Sequence, residues 1–232
     1  MSNNDHNVLK LIWKNPLTRR NYTIGRLTRG TKYEFEYCDE YDAAMKSGWE
    51  LLEAFPEIKK YESDTLFAAF ACRLPDRKRR DIQGILHKYG LKSFDGFELL
   101  KKSTGRLPID TYEFIDPIFP EDENIEKEFF LMGVRYYGNC GGDDCKKIIN
   151  SIKKGDELKL EEEPDNIADI YAIKVLSNND ELVGYIPRYY SREITERLKK
   201  GKTYSCTIVE INMDKNCENC IKVRLQIPRK ER

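Results

Sequence analysis

The feature that most limits how this chain can fold is a break in composition. From Pro117 to Glu128 it reads PIFPEDENIEKE, where two prolines and a crowd of acidic residues interrupt an even mixture of apolar and charged positions. The stretch 119–128 reads as an acidic linker. It leaves 1–118 and 129–232 as two units of about a hundred residues each, an ordinary domain size.

The two units carry different patterns. In the first, VLKLIW (8–13), YTIGRL (22–27) and KYEFEY (32–37) read as short strands. In the last of these Tyr33, Phe35 and Tyr37 alternate with charged residues, so one face is buried. Helices follow at 65–73, 76–90 and 94–102. Ile82, Ile85, Leu86 and Tyr89 keep helical spacing, and Gly90 is a stop signal. TYEFI (111–115) reads as a closing strand. The second unit is mostly strands, at 129–137, 157–162, 171–177, 181–187, 204–211 and 220–227. One helix spans 189–200, and a short one fits near 146–153. The fold class is therefore α+β: an α+β domain, then a small OB-like β-barrel.

Charge and chemistry narrow the function. Lys and Arg number 40, Asp and Glu also 40. Neither half has the net positive field of a protein that coats duplex DNA, so any nucleic-acid contact should be made at a small, shaped site. No stretch has the apolar length to span a bilayer, and MSNNDHNVLK lacks the basic and apolar regions of a signal peptide. These features predict a cytoplasmic protein with no membrane partner. There is no phosphate-binding glycine loop, no nucleophile elbow and no kinase motif set. The two histidines, His6 and His87, lie near the N-terminus and on a charged helix. The expectation is a protein that is not an enzyme, with no catalytic residues.

The segment GVRYYG (133–138) invites two readings. Tyrosine faces are platforms for unpaired bases, and an arginine forks onto phosphate. Equally, Arg-Tyr-Tyr is an aromatic strand end with a surface arginine. Strand alternation puts Tyr136 opposite Arg135 and Tyr137, so all three face one ligand only where the strand bends or ends.

The blocks VRYYG, GDELKLEEEPDNIADIYAIKV and ELVGYIPR, in that order and spacing, resemble the HIRAN domain, over roughly Phe129 to Pro228. The resemblance implies a modified OB-fold that, in the family's best-studied member, captures the free 3′ end of single-stranded DNA. Carried over by position, it implies Arg135, Tyr136 and Tyr137 for backbone and base contacts. It implies Asp169 as a buried acceptor for the 3′-hydroxyl. The family usually has Asn-Pro-Tyr-Asp where this chain has Asn166-Ile167-Ala168-Asp169, so a stacking tyrosine is missing. Tyr171, two residues on and on the same face of a regular strand, is the substitute expected. Tyr185 stands where the best-studied member has a histidine.

The first unit resembles, more loosely, the N-terminal subdomain of HipA-type toxins and the small HipS-like proteins. TIGRLTR, YEFEYCDEY, LFAAFACRLPDRKRRDI and DGFELLKKSTGRLPI carry the likeness, over roughly Leu9 to Asp116. It implies a role in docking a protein partner. With no kinase body in the chain, it implies no kinase activity. An alternative to DNA binding follows from it: a regulatory subunit of a toxin–antitoxin or phage-defence system with no DNA contact. Arg77, Lys78, Arg79 and Arg80 fall in the first turn of a predicted helix, against its dipole. They read either as a partner or phosphate site or as a solvated face.

The seven cysteines are too irregular for a disulfide scaffold. Cys140 and Cys145, with Cys217 and Cys220, have the spacing of two zinc half-sites, and also suit plain turns with free thiols. Cys38, Cys72 and Cys206 read as small core residues.

Overall fold

A computed structural model of the protein describes residues 7–134, 151–212 and 219–229. The chain separates into two compact units, one ending at Pro117 and the next beginning at Ile118.

The first unit is built on a five-stranded antiparallel sheet. Its strands are β1 (Val8–Lys14), β2 (Asn21–Arg29), β3 (Tyr33–Tyr37), β4 (Tyr61–Ser63) and β5 (Tyr112–Ile115). The spatial order is β4-β3-β2-β1-β5. Period-two alternation in β3 sends Phe35 and Tyr37 into the core. Glu34 and Glu36 point the other way, where they pair with Lys60 and Arg26. Phe35 packs with Phe55 and Phe70 at ring distances of 4.5 and 5.1 Å, and Phe70 packs on Phe114. Gly25 in β2 makes room for this cluster, since a Cβ there would stand 2.6 Å from the Phe35 ring.

Four short helices, α1 (Tyr41–Lys46), α2 (Ala68–Ala71), α3 (Ile82–Lys88) and α4 (Gly96–Ser103), complete the unit. Helix α4, expected over 94–102, starts at Gly96 behind an Asp95 cap. The Asp95 carboxylate accepts from the Glu98 amide at 3.0 Å. Arg29 of β2 grips both Asp95 and Glu98 and lies 4.4 Å over the Phe97 ring, which ties the helix start to the sheet.

Several expectations change here. The helix over 65–73 shrinks to Ala68–Ala71, and Cys72 is exposed rather than a core residue. Past it, Arg73 turns toward Asp110, with both guanidinium nitrogens on that carboxylate at 2.7 and 2.8 Å. Cys38 is half-buried and Cys206 fully buried. Helix α3 begins only at Ile82, so Arg77–Arg80 precede it in a turn. Asp76 closes that turn by accepting from the Lys78 amide, and Arg79 pairs with Asp81. The conflict with the helix dipole is thereby removed.

The second unit contains β6 (Ile125–Phe130), β7 (Lys159–Glu162), β8 (Ile173–Leu176) and β9 (Leu182–Tyr185). Helix α5 (Arg188–Lys199), β10 (Ser205–Ile211) and β11 (Ile221–Ile227) follow. The expected closed barrel is not found among the described residues. The strands form two three-stranded antiparallel sheets, β10-β11-β6 and β7-β8-β9. They touch at two isolated bridges, Met132 with Tyr185 and Glu157 with Thr207. Strands of four residues in the second sheet are too short to sustain continuous pairing around a corner.

The acidic stretch ends inside a strand. Ile125–Glu128 belong to β6 and pair with β11, and Glu128 holds Lys222 and Arg224. Its earlier part is held by Arg197 of α5. This buried guanidinium donates to the carbonyls of Phe119 at 2.6 Å and Asp122 at 3.0 Å. Local composition read this stretch as a linker because its partners lie about seventy-five to a hundred residues away.

Candidate nucleic-acid interface

The site is built on the turn between β7 and β8. Asn166 shapes its first half: the side-chain oxygen accepts from the amides of Ala168 and Asp169 at 2.9 and 3.1 Å. Asp169 shapes the second half. Its Oδ1 accepts from the Tyr171 amide at 3.0 Å, and its carbonyl accepts from the Ala172 amide at 2.9 Å. Asn and Asp favour such turns because their short side chains imitate a backbone acceptor. Residues 169–171 are therefore a turn, and the strand alternation expected to align Tyr171 with Asp169 does not apply.

Helix α5 fixes this turn from below. Ser191 Oγ donates to Asp169 Oδ2 at 2.6 Å, and Thr195 Oγ1 donates to the Tyr171 carbonyl at 3.1 Å. Ser191 and Thr195 are four residues apart, hence on one helix face. They are 1% and 2% exposed, so their hydroxyls must find partners within the protein. Asp169 itself is half-buried, not buried as expected, and so remains open to a ligand.

Tyr185 closes the other side. Its hydroxyl donates to Glu163 Oε2 at 3.0 Å, where the Asn166 amide also donates at 2.6 Å. Lys174 faces Oε1 at 3.0 Å. The hydrogen bond from Asn166, joined by those from Lys174 and Tyr185, holds the Glu163 carboxyl below the usual range against a weaker opposing effect of burial. Tyr185 is thus linked through Glu163 and Asn166 to the turn that carries Asp169. Tyr185 and Met132 also exchange two backbone hydrogen bonds, at 2.9 and 2.8 Å. Gly184 permits that approach, since a Cβ there would lie 2.9 Å from the Met132 carbonyl oxygen.

Of the residues predicted from sequence, Asp169, Tyr171 and Tyr185 are joined by this network. Arg135, Tyr136 and Tyr137 lie outside the described residues, beginning three positions after Met132. Cys140, Cys145 and Cys217 also lie outside them. Cys220 is buried just ahead of β11. Among the described residues no group of three or more metal-ligating side chains converges. Nor is any helix among them long and apolar enough to cross a membrane.

The family model of the HIRAN domain matches residues 126–228. That part of the chain is a HIRAN domain. Two solved structures are similar to it. One is a protein from Lactobacillus plantarum, at 19% identity and TM-score 0.37, covering 45% of this chain and 96% of that one. The other is the HIRAN domain of human HLTF, at 15% identity and TM-score 0.34, covering 46% of this chain and 80% of that one. No curated protein matches the chain.

Reading the sequence missed Asn166, Glu163, Ser191 and Thr195, which position the HIRAN-domain site. One signal was available. Ser191 and Thr195 are polar residues flanking Ile194 on the apolar face of a helix, where hydroxyls are placed to meet something.

Proposed function

We propose that this protein binds single-stranded DNA through its HIRAN domain, receiving a 3′ end at Asp169. The HIRAN domain is a DNA-binding domain, and the observation that carries the finer reading is the state of Asp169. Its carboxylate is oriented by Tyr171 N–H and Ser191 Oγ, one on each oxygen. An ionised carboxylate offers about four acceptor positions, so capacity remains for one more donor. A 3′-hydroxyl supplies that donor, whereas a 3′-phosphate brings a like charge and is repelled. Balanced net charge suits such a site, in which shape and a few contacts act in place of a broad basic field.

The protein acts by binding, with no chemistry of its own, and the first unit docks a protein partner. The text shared with the HipA N-terminal subdomain supports this second part.

Fluorescence anisotropy with one labelled oligonucleotide, prepared with a 3′-hydroxyl and with a 3′-phosphate, tests the proposal. Tighter binding of the hydroxyl form is expected. Equal affinity removes the end recognition. Binding of neither removes the DNA reading and leaves the alternative, a docking subunit without DNA contact.

A further inference from the structure

Beside the Asp169 turn stands a residue that no resemblance assigns. Arg192, in the first turns of α5, is exposed, and its guanidinium carbon lies 5.7 Å from the centre of the Tyr171 ring. Among the described residues it forms no ion pair. Its helical neighbours account for this placement. Ser191 and Thr195 hold the turn from the buried face through Asp169 and the Tyr171 carbonyl. The Tyr171 backbone is thus fixed at its amide and at its carbonyl, which anchors the root of the ring. An arginine over an anchored ring is restrained without losing its hydrogen-bond donors, because cation–π contact engages the face of the guanidinium and leaves its edge free.

From this arrangement we infer that Arg192, pre-organised on Tyr171, is a phosphate contact for the single strand whose 3′ end Asp169 receives. The inference rests on the DNA-binding reading above and extends it to a residue outside the family motif. A fork held in place loses less entropy on binding than a free surface arginine. Arg192 also borders a cleft of about 380 Å³ whose lining mixes acidic residues, Glu193 and Glu196 among them, with Arg197, Lys200 and Lys202, so the cleft itself neither draws nor excludes a polyanion.

The test is a salt series of anisotropy titrations, using a labelled single-stranded oligothymidine with a free 3′-hydroxyl. Replacing Arg192 with Gln should weaken binding about five- to twentyfold at low salt. It should also make the slope of log K against log salt shallower by about 0.7, the value of one phosphate contact on a single strand. Arg192→Lys should restore the slope and only part of the affinity, because an ammonium neither forks nor stacks as a guanidinium does. Tyr171→Leu should weaken binding, and combined with Arg192→Gln it should cost less than the two separate losses multiplied together, since each side chain then acts through the other. Wild-type protein that binds, with Arg192→Gln unchanged in affinity and slope, overturns this inference alone. Wild-type protein that binds no oligomer overturns the DNA reading and this inference with it. Circular dichroism on the exposed-site variants confirms that they are folded.

Discussion

Ser191 Oγ lies 2.6 Å from Asp169 Oδ2 and 2.9 Å from the Arg188 carbonyl, so one hydroxyl proton faces two acceptors. The shorter contact is to the carboxylate, and charge assistance favours it. Ser191 is thus the link between a helix and the turn that presents the acceptor. Ser191→Ala should cost about 1 kcal/mol of stability, because half-buried Asp169 recovers part of the lost hydrogen bond from water. Binding of a 3′-hydroxyl oligomer should fall several-fold as Asp169 loses its orientation. Urea denaturation and anisotropy on the same preparation separate the two effects.

Asp169→Asn probes charge in place of orientation. The amide oxygen still accepts, so binding of a 3′-hydroxyl should weaken only moderately. The repulsion of a terminal phosphate disappears. The ratio of affinities for the hydroxyl and phosphate forms should therefore fall toward one. A ratio equal to that of the wild type would show that some other group reads the end.

Gly184 should tolerate no side chain. An added Cβ would meet the Met132 carbonyl oxygen at 2.9 Å and Leu131 Cβ at 3.1 Å, both firmly held atoms. Gly184→Ala should cost about 1–3 kcal/mol, the usual penalty of overpacking. It should also push apart the Met132–Tyr185 bridge. Chemical denaturation gives the first quantity. Faster amide hydrogen exchange at Met132 and Tyr185 gives the second.

What the sequence revealed follows the range of the interactions. The alternation in YEFEY acts between neighbours and appears where it was read, and the helix expected over 94–102 forms at Gly96–Ser103. The HIRAN domain was legible because three sequence blocks keep their order and spacing. The fate of the acidic stretch was not, since Arg197 and the β11 partners that hold it are remote in sequence. The same holds for the site. The resemblance points to Asp169 and Tyr171 and a regular strand would align them, but the chain turns there, because Asn166 and Asp169 spend their side chains on backbone amides. Among the described residues the closed barrel is not found, and the strands expected over 157–162, 171–177 and 181–187 are four residues each, because where a strand stops pairing depends on partners remote in sequence.

Arg197 should behave as a structural clamp. Its side chain is 8% exposed, and it donates to Phe119, Asp122 and Glu193 carbonyls. Arg197→Met keeps the apolar volume and strips the donors, leaving carbonyls that water must reach. The loss should be about 3–5 kcal/mol, the range for breaking a buried charged network. Limited proteolysis should then cut near 119–124 faster than in the wild type. An unchanged digestion pattern would show that β6 alone holds the segment.

The last prediction concerns acid. Burial pushes the Asp110 carboxyl upward, but hydrogen bonds from Arg73 and the Tyr112 amide outweigh it and hold the group below its ordinary value of 3.8. The folded state thus binds this proton less readily than the unfolded state. Stability from the pair is complete above pH 3.8 and is lost as pH falls through the folded value. Asp110→Asn removes the charge at every pH and leaves the Arg73 guanidinium, 8% exposed, without its carboxylate. At pH 7 the variant should be less stable by about 2 kcal/mol, discounted from the buried-pair range because Asp110 is a quarter exposed. The gap between the two proteins should stay constant down to about pH 4 and narrow below it, as protonation makes the wild type resemble the variant. Thermal melts of both proteins from pH 7 to pH 2.5 measure it. A gap that stayed constant to the acid limit would show that the carboxylate is not held by Arg73.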